Sequence, residues 1–343
     1  MISLILTVLG LLFLHPILRF LNVPDHLTGT ARQYIFIIIA GMLATFLYDT
    51  CAASLRALGD TVTPLVILAV SVTLNIAGDL FFILVVKAGV QGAAVATVLS
   101  QTLAFLICWF YMIRRYEILR LKKRIFRYSK KYDENMLSAG LSMGLVSSLV
   151  NLGTLALQTS INRLGRDIIV AHTAARKITE MFMIMFGVFG QTMAIFCGQN
   201  AGAGRMDRVR HGIGLAVLYT CIWSVMTVIF SFTIGKQLIY LVTGSHNETV
   251  IRNAANYLKF DTIFYFVTAV ISVLRNAMQG LGETVIPLVS SALEMIGKVV
   301  IAVTLVPLLG YTGVIVAEPI VWVIMVIPLI VKILKMPELK KTV

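Results

Sequence analysis

Ten stretches of this chain are each long and apolar enough to cross a hydrocarbon core, and that feature leaves few folds open. They lie near residues 2–20, 34–56, 64–86, 90–113, 138–162, 168–197, 212–243, 254–277, 286–306 and 311–334. A helix of about 20 apolar residues spans a bilayer core. Inside lipid every backbone N–H and C=O must be paired within the protein, so only helices and closed barrels can span. The runs show no sustained alternation of apolar and polar residues, which rules out barrel strands. With 58% hydrophobic and 13% charged residues and a mean hydropathy of +0.90, the chain exceeds what a soluble core can absorb. The expected class is an all-α polytopic membrane protein with the lipid bilayer as its solvent.

One break between these runs occurs twice. Arg56 to Leu65 reads RALGDTVTPL and Gln279 to Leu288 reads QGLGETVIPL, six identities in ten positions at an offset of 223 residues, with the acid kept as Asp60 and Glu283. The same offset pairs Tyr34 with Tyr257 and Ala31 with Ala254. After a two-residue slip, GVQGAAVA from Gly89 pairs with GYTGVIVA from Gly310. This is duplication of a whole domain. Six helices lie between the breaks, so both halves cross in the same direction, and parallel repeats of this kind occur in secondary transporters. The expected organisation is an N-terminal lobe over 1–113 with four helices, a basic linker over 114–136, and a C-terminal lobe over 137–343 with six helices. The offset puts the start of the first half about 86 residues before Met1, so the expectation is a twelve-helix protein without its first two helices.

The net charge of +13 could suggest nucleic acid, but its distribution points to membrane topology. With the loop around Lys122 inside, alternation puts 18 Lys/Arg on the cytoplasmic side and 8 outside, as the positive-inside rule requires. Both termini are then cytoplasmic in a multi-pass protein of the cell membrane, and no nucleic-acid partner is expected. The segment from Arg114 to Lys131 carries nine basic residues. It fits a topology determinant, or a contact with anionic headgroups.

Enzyme chemistry has no foothold. Cys51, Cys108, Cys197 and Cys221 fall within or at the ends of apolar helices without CxxC spacing, and the five histidines are scattered, so neither a disulfide framework nor a zinc site is indicated. GQNAGAGR from Gly198 lacks the Gly-Lys-Ser/Thr ending of a phosphate loop. The 2–20 run lacks a basic leader and a small-residue cleavage site, and is read as a mature span. No cofactor is expected.

Five motifs carry a family resemblance in order: LRALGDTVTPL, LNIAGDLFF with GVQGAAVATVLSQ, INRLGRDIIVAHTAARKI, GQNAGAGRMDRV and MQGLGETVIPL. The chain resembles the MATE family of multidrug and toxic compound extrusion proteins, from the family's third helix to its last. The resemblance implies two lobes around a central cavity, alternately open to either side, exporting amphipathic small molecules in exchange for Na+ or H+. A lipid-linked precursor flippase of related architecture is the alternative, as is a non-transporting fragment whose partner is a separate two-helix segment.

Ionisable residues at membrane depth are functional candidates. Asp79 lies inside helix 64–86 with Asn75 one turn earlier on the same face, and both offer oxygens of the kind hard cations prefer. Either the pair binds a cation or Asp79 makes a buried hydrogen bond between helices. The resemblance adds Thr97 and implies that Asn75, Asp79 and Thr97 hold the coupling cation, with no metal beyond Na+ there. In the second half Lys298 and Ala302 replace Asn75 and Asp79, so that site is not repeated. Glu294 and Lys298, at i and i+4, are expected to form a structural or gating pair, with proton coupling as the alternative. Asp261 is a further acidic candidate, competing with a hydrated position near a helix end, and Glu180 and Glu318 also lie at membrane depth. Met181, Met183 and Met185 with Phe182, Phe186 and Phe189 either line a deformable cavity or pack and face lipid.

Overall fold

The computed structural model describes residues 2–14, 16, 25–120, 130–244 and 247–336. Among these the chain is helical, with no strand. Eight helices are long and apolar enough to cross a membrane, and a bent pair makes a ninth candidate. The chain divides into two compact units, Met1–Arg127 and Tyr128–Val343. Residues 121–129 of the basic cluster, the latter part of the 2–20 run, His246 and the chain after Met336 lie outside the described residues.

The first unit holds α1 (Ile2–Leu12), α2 (Asp25–Ala57), α3 (Val62–Leu80) and α4 (Gly89–Arg115). A π-helical turn, Phe81–Val85, follows α3 directly. Tyr48, Cys51, Ala52 and Leu55 of α2 pack on Ala104, Cys108 and Met112 of α4. Much of the outward surface is large apolar side chains, among them Leu65, Leu74 and Leu84, as expected of helices solvated by lipid.

The second unit runs α5 (Lys130–Ile161), α6 (Arg166–Gly202), α7 (Met206–Thr233), α8 (Gly235–Thr243), α9 (Glu248–Ile263), α10 (Tyr265–Gly280), α11 (Val285–Val303), α12 (Leu305–Leu309) and α13 (Tyr311–Lys335). Its core draws on nearly all of these, with Phe186, Tyr257, Tyr265 and Met325 among the largest fully buried side chains. On α7 the buried Thr220, Ser224, Thr227 and Ser231 each donate to a carbonyl three or four residues back, which satisfies their hydroxyls without a partner helix.

Two expected spans need correction. The run 212–243 is not one helix: α7 ends at Thr233 and a separate nine-residue α8 follows. The run 254–277 is broken at Phe264, where α9 and α10 meet at 53°.

The repeated break has one structure in both units. Gly59 and Gly282 adopt φ of 89° and 81°. Gly59 N–H donates to Arg56 and Asp60 N–H to Leu55, while Gly282 N–H donates to Gln279 and Glu283 N–H to Met278, the paired bonds of a Schellman helix end. The acid then does two things. Asp60 Oδ1 accepts from Thr63 N–H, and Glu283 Oε1 from Val285 N–H, at the start of the next helix. Asp60 Oδ2 accepts from Tyr111 and Tyr116 at 3.2 Å, whereas Glu283 Oε2 pairs with Lys332. Tyr111 and Lys332 are 221 residues apart, the spacing that relates Gly89 to Gly310. Each unit therefore ties its break to the end of its own last helix.

Candidate functional site

In the first unit the polar cluster lies between α3 and α4. Gly78 lets the helices approach, since a Cβ there would come within 3.1 Å of the Ala96 Cβ. Asn75 Nδ2 donates to Thr97 Oγ1 at 3.3 Å, and Thr97 itself donates to the Ala93 carbonyl. Asp79 is one turn beyond Asn75, and its Oδ1 is buried without a hydrogen-bond partner among the described residues. Gln101 Oε1, one turn beyond Thr97, is likewise buried and unpartnered. The structure thus joins Asn75 to Thr97 and leaves two bare oxygens on the same pair of helices. An unpaired buried acceptor is costly; the Asp79 carboxylate can take a cation or a proton, and the Gln101 amide oxygen a cation or a hydrogen-bond donor.

The second unit carries charges instead. Lys298 Nζ is 3.0 Å from Glu294 Oε1 and 3.5 Å from Glu318 Oε1, and it donates to Thr154 Oγ1 at 3.3 Å. Arg176 Nη1 donates to Glu318 Oε1 at 3.1 Å, and Arg275 Nη2 reaches Glu294 Oε2 and Ser290 Oγ only at 3.5 Å. The expected Glu294–Lys298 contact is present, within a larger network. Glu318 stands 221 residues after Thr97, as Lys298 stands 223 after Asn75. The neutral Asn75–Thr97 contact of one unit and the Lys298–Glu318 ion pair of the other therefore occupy matching positions.

These charges line a cavity of about 440 Å³ bounded by α5, α6, α10, α11 and α13. Met183 and Phe186 contribute to its wall. Phe182 and Phe189 instead pack on the core as partly buried side chains, and Met181 and Met185 are exposed. Asp261 is not hydrated at a helix end, contrary to that expectation. It is fully buried beside the break at Phe264, where Oδ2 accepts from Tyr265 at 3.1 Å and Oδ1 has no partner among the described residues. Glu180 is largely exposed and 3.9 Å from Arg176.

Arg176 and Arg275 were not among the expected site residues. Arg176 meets Glu318 across 142 residues of sequence, and no local spacing signals that. Arg275 stands where the first half has Ala52, so the duplication gave no cue beyond the rarity of an arginine inside an apolar helix.

Comparison with known proteins bears on the fold and the family. The MatE family model matches residues 1–81 and 143–304. The chain is 28% identical over 268 residues to a protein named probable multidrug resistance protein YpnP of Bacillus subtilis (strain 168), covering 78% of this chain and 59% of that relative. It is 26% identical over 307 residues to probable multidrug resistance protein YoeA of the same organism, covering 87% of this chain and 65% of the relative. The chain thus spans less than two thirds of the length of either. A crystal structure of MATE in the bent conformation has the same fold, with a TM-score of 0.91 at 20% identity over 98% of this chain and 76% of the other. A multi-pass helical membrane protein matched over most of its length by that model, this chain belongs to the MatE family.

Proposed function

We propose that the chain acts in a secondary transporter that exports amphipathic small molecules in exchange for a cation, Na+ or H+. The observation that carries this reading is the unpartnered Asp79 oxygen one turn from the Asn75–Thr97 contact. Carboxylate, amide and hydroxyl oxygens together suit a hard cation, and a carboxylate at membrane depth needs either a cation or a proton to be tolerated. Exchange follows if loading the site and loading the substrate favour opposite openings of the protein. Family membership and the names of the relatives support efflux of drug-like compounds.

The test is equilibrium binding of radioactive Na+, and of protons by pH electrode, to the purified chain, alongside efflux of a cationic dye from vesicles under a Na+ or pH gradient. Asp79→Asn is expected to lose ion binding and gradient-driven efflux at unchanged insertion. Wild-type behaviour in that variant would leave Asp79 as a helix-packing residue. We further read the protein as lying in the cell membrane with both termini cytoplasmic, on the strength of the Lys/Arg bias. A cysteine at position 123 should then resist an impermeant thiol reagent in intact cells and one at position 247 should react; the reverse pattern would invert the topology.

A further inference from the structure

The cavity of the second unit holds more positive than negative charge. Five ionisable side chains line it: Arg176, Arg275 and Lys298 against Glu294 and Glu318. The contacts show which cation is in excess. Arg176 has Glu318 at 3.1 Å and Lys298 has Glu294 at 3.0 Å. Arg275 is left to share Glu294 at 3.5 Å, and its Nε is buried with no partner among the described residues. Asp261 does not line the cavity and its Oδ2 is engaged by Tyr265, so it fills no donor of Arg275.

The surroundings of Arg275 continue the pattern. Thr268, two turns earlier on the same face of α10, also lines the cavity and has a buried hydroxyl without a partner among the described residues. Ile271 lies between Thr268 and Arg275 on that face, and the walls from other helices are apolar at Phe186, Trp322 and Met325. A volume near 440 Å³ lies in the range of small-molecule sites, which join an apolar lining to a few fixed polar groups. A guanidinium with spare donors recognises a planar carboxylate best.

We propose that this cavity binds a small organic anion, a carboxylate on an apolar or aromatic body, with its head group on Arg275 and Thr268 and its body against Trp322. The site is separate from the cation cluster at Asp79 and does not depend on the transport reading. A ligand of this class adds the negative charge that the lining lacks, and its apolar body replaces water against Phe186 and Met325. An organic cation would meet the excess charge with repulsion.

The experiment reads binding in neutral detergent without any gradient. In the full chain carrying Trp109→Phe and Trp223→Phe, Trp322 is the remaining indole, and nitroaromatic compounds quench indole fluorescence on contact. The probe is 4-nitrobenzoate, compared with neutral 4-nitrobenzamide of the same shape and with a 4-nitrobenzyl trimethylammonium ion. Saturable quenching by the carboxylate, at least about tenfold tighter than by the amide, is expected from charge-assisted hydrogen bonds. Arg275→Gln should remove that preference, Arg275→Lys should keep part of it, and Thr268→Val should weaken the carboxylate more than the amide. Partition into detergent favours the amide, so micelle effects oppose the expected result. Equal binding of carboxylate and amide, tighter binding of the ammonium ion, or an undiminished preference in folded Arg275→Gln would each overturn the proposal. Should Arg275→Gln fail to fold, the carboxylate-to-amide ratio of the parent protein and the Thr268→Val shift decide it.

Discussion

Removing Glu318 should harm the second unit more than removing Lys298, although the two touch each other at 3.5 Å. Glu318 accepts from Arg176 and only 7% of its side chain is exposed. Glu318→Gln leaves the three cations of the cavity lining with Glu294 as its one carboxylate, and Arg176 with only the largely exposed Glu180 at 3.9 Å; stranding a buried charge costs about 3–5 kcal/mol. Lys298→Met leaves two arginines and two carboxylates, with Arg176 still on Glu318 and Arg275 still near Glu294. Its cost is the lost hydrogen bonds to Glu294 and Thr154, about 1–2 kcal/mol, and methionine refills most of the stem volume. The expected gap is thus about 1–4 kcal/mol. For a domain of about 200 residues each kcal/mol moves Tm by about 2–4 °C, so Glu318→Gln should melt at least about 2 °C below Lys298→Met. A thiol-reactive dye that fluoresces as the buried Cys197 of α6 becomes exposed gives the melting curve in detergent. Equal losses, or a greater loss for Lys298→Met, would mean that an ionised acid outside the cavity balances the network, and the count of one surplus cation would fall.

Glu283, between α10 and α11, supplies a pH prediction. Burial pushes its carboxyl up, but Lys332 and the N–H groups of Ile286 and Val285 outweigh this and hold it below the usual carboxylate range. Its folded value lies below the unfolded one, so the stabilisation is complete above the ordinary Glu value near ~4.3 and is lost as pH falls through the folded value. Wild type should out-melt Glu283→Gln at neutral pH, and the gap should close as pH drops below about 4; a gap that persists in acid would exclude the charge as its source. Gly59→Ala and Gly282→Ala place a side chain at positive φ in otherwise open space, so each should cost about 1–2 kcal/mol of pure backbone strain. Circular dichroism melts measure this, and a neutral alanine at either site would refute the left-handed helix end.

What the sequence disclosed divides along physical lines. The shared faces of Asn75 with Asp79 and of Glu294 with Lys298 were legible because helical spacing alone sets them, and the repeat put Lys298 at the position of Asn75. The break at Phe264 was not, since Ile263, Phe264 and Tyr265 are as apolar as their neighbours and no glycine or proline marks it. The break at Ile234 did have its glycine, Gly235, but the apolar run continues through it and hides the end of α7. Asp261 was misjudged for a related reason: its hydration depended on where the helix ended, and the bend carries it into the core. The Arg176–Glu318 and Arg275–Glu294 contacts join different helices, and only the folded packing brings them together.

The tied breaks described above give the two halves different responses to ionic strength. In the first unit Asp60 is held by two phenolic hydroxyls, which are uncharged partners, and dissolved salt has little long-range attraction to screen. In the second unit the matching bond joins a carboxylate to an ammonium, and Lys332 is partly open to solvent with 37% of its side chain exposed. At 1 M salt the screening length falls to about 3 Å, within the reach of that exposed pair. A duplicated shape has thus kept its geometry and exchanged its chemistry, and raising the salt concentration should loosen the end of α13 while leaving the end of α4 fastened.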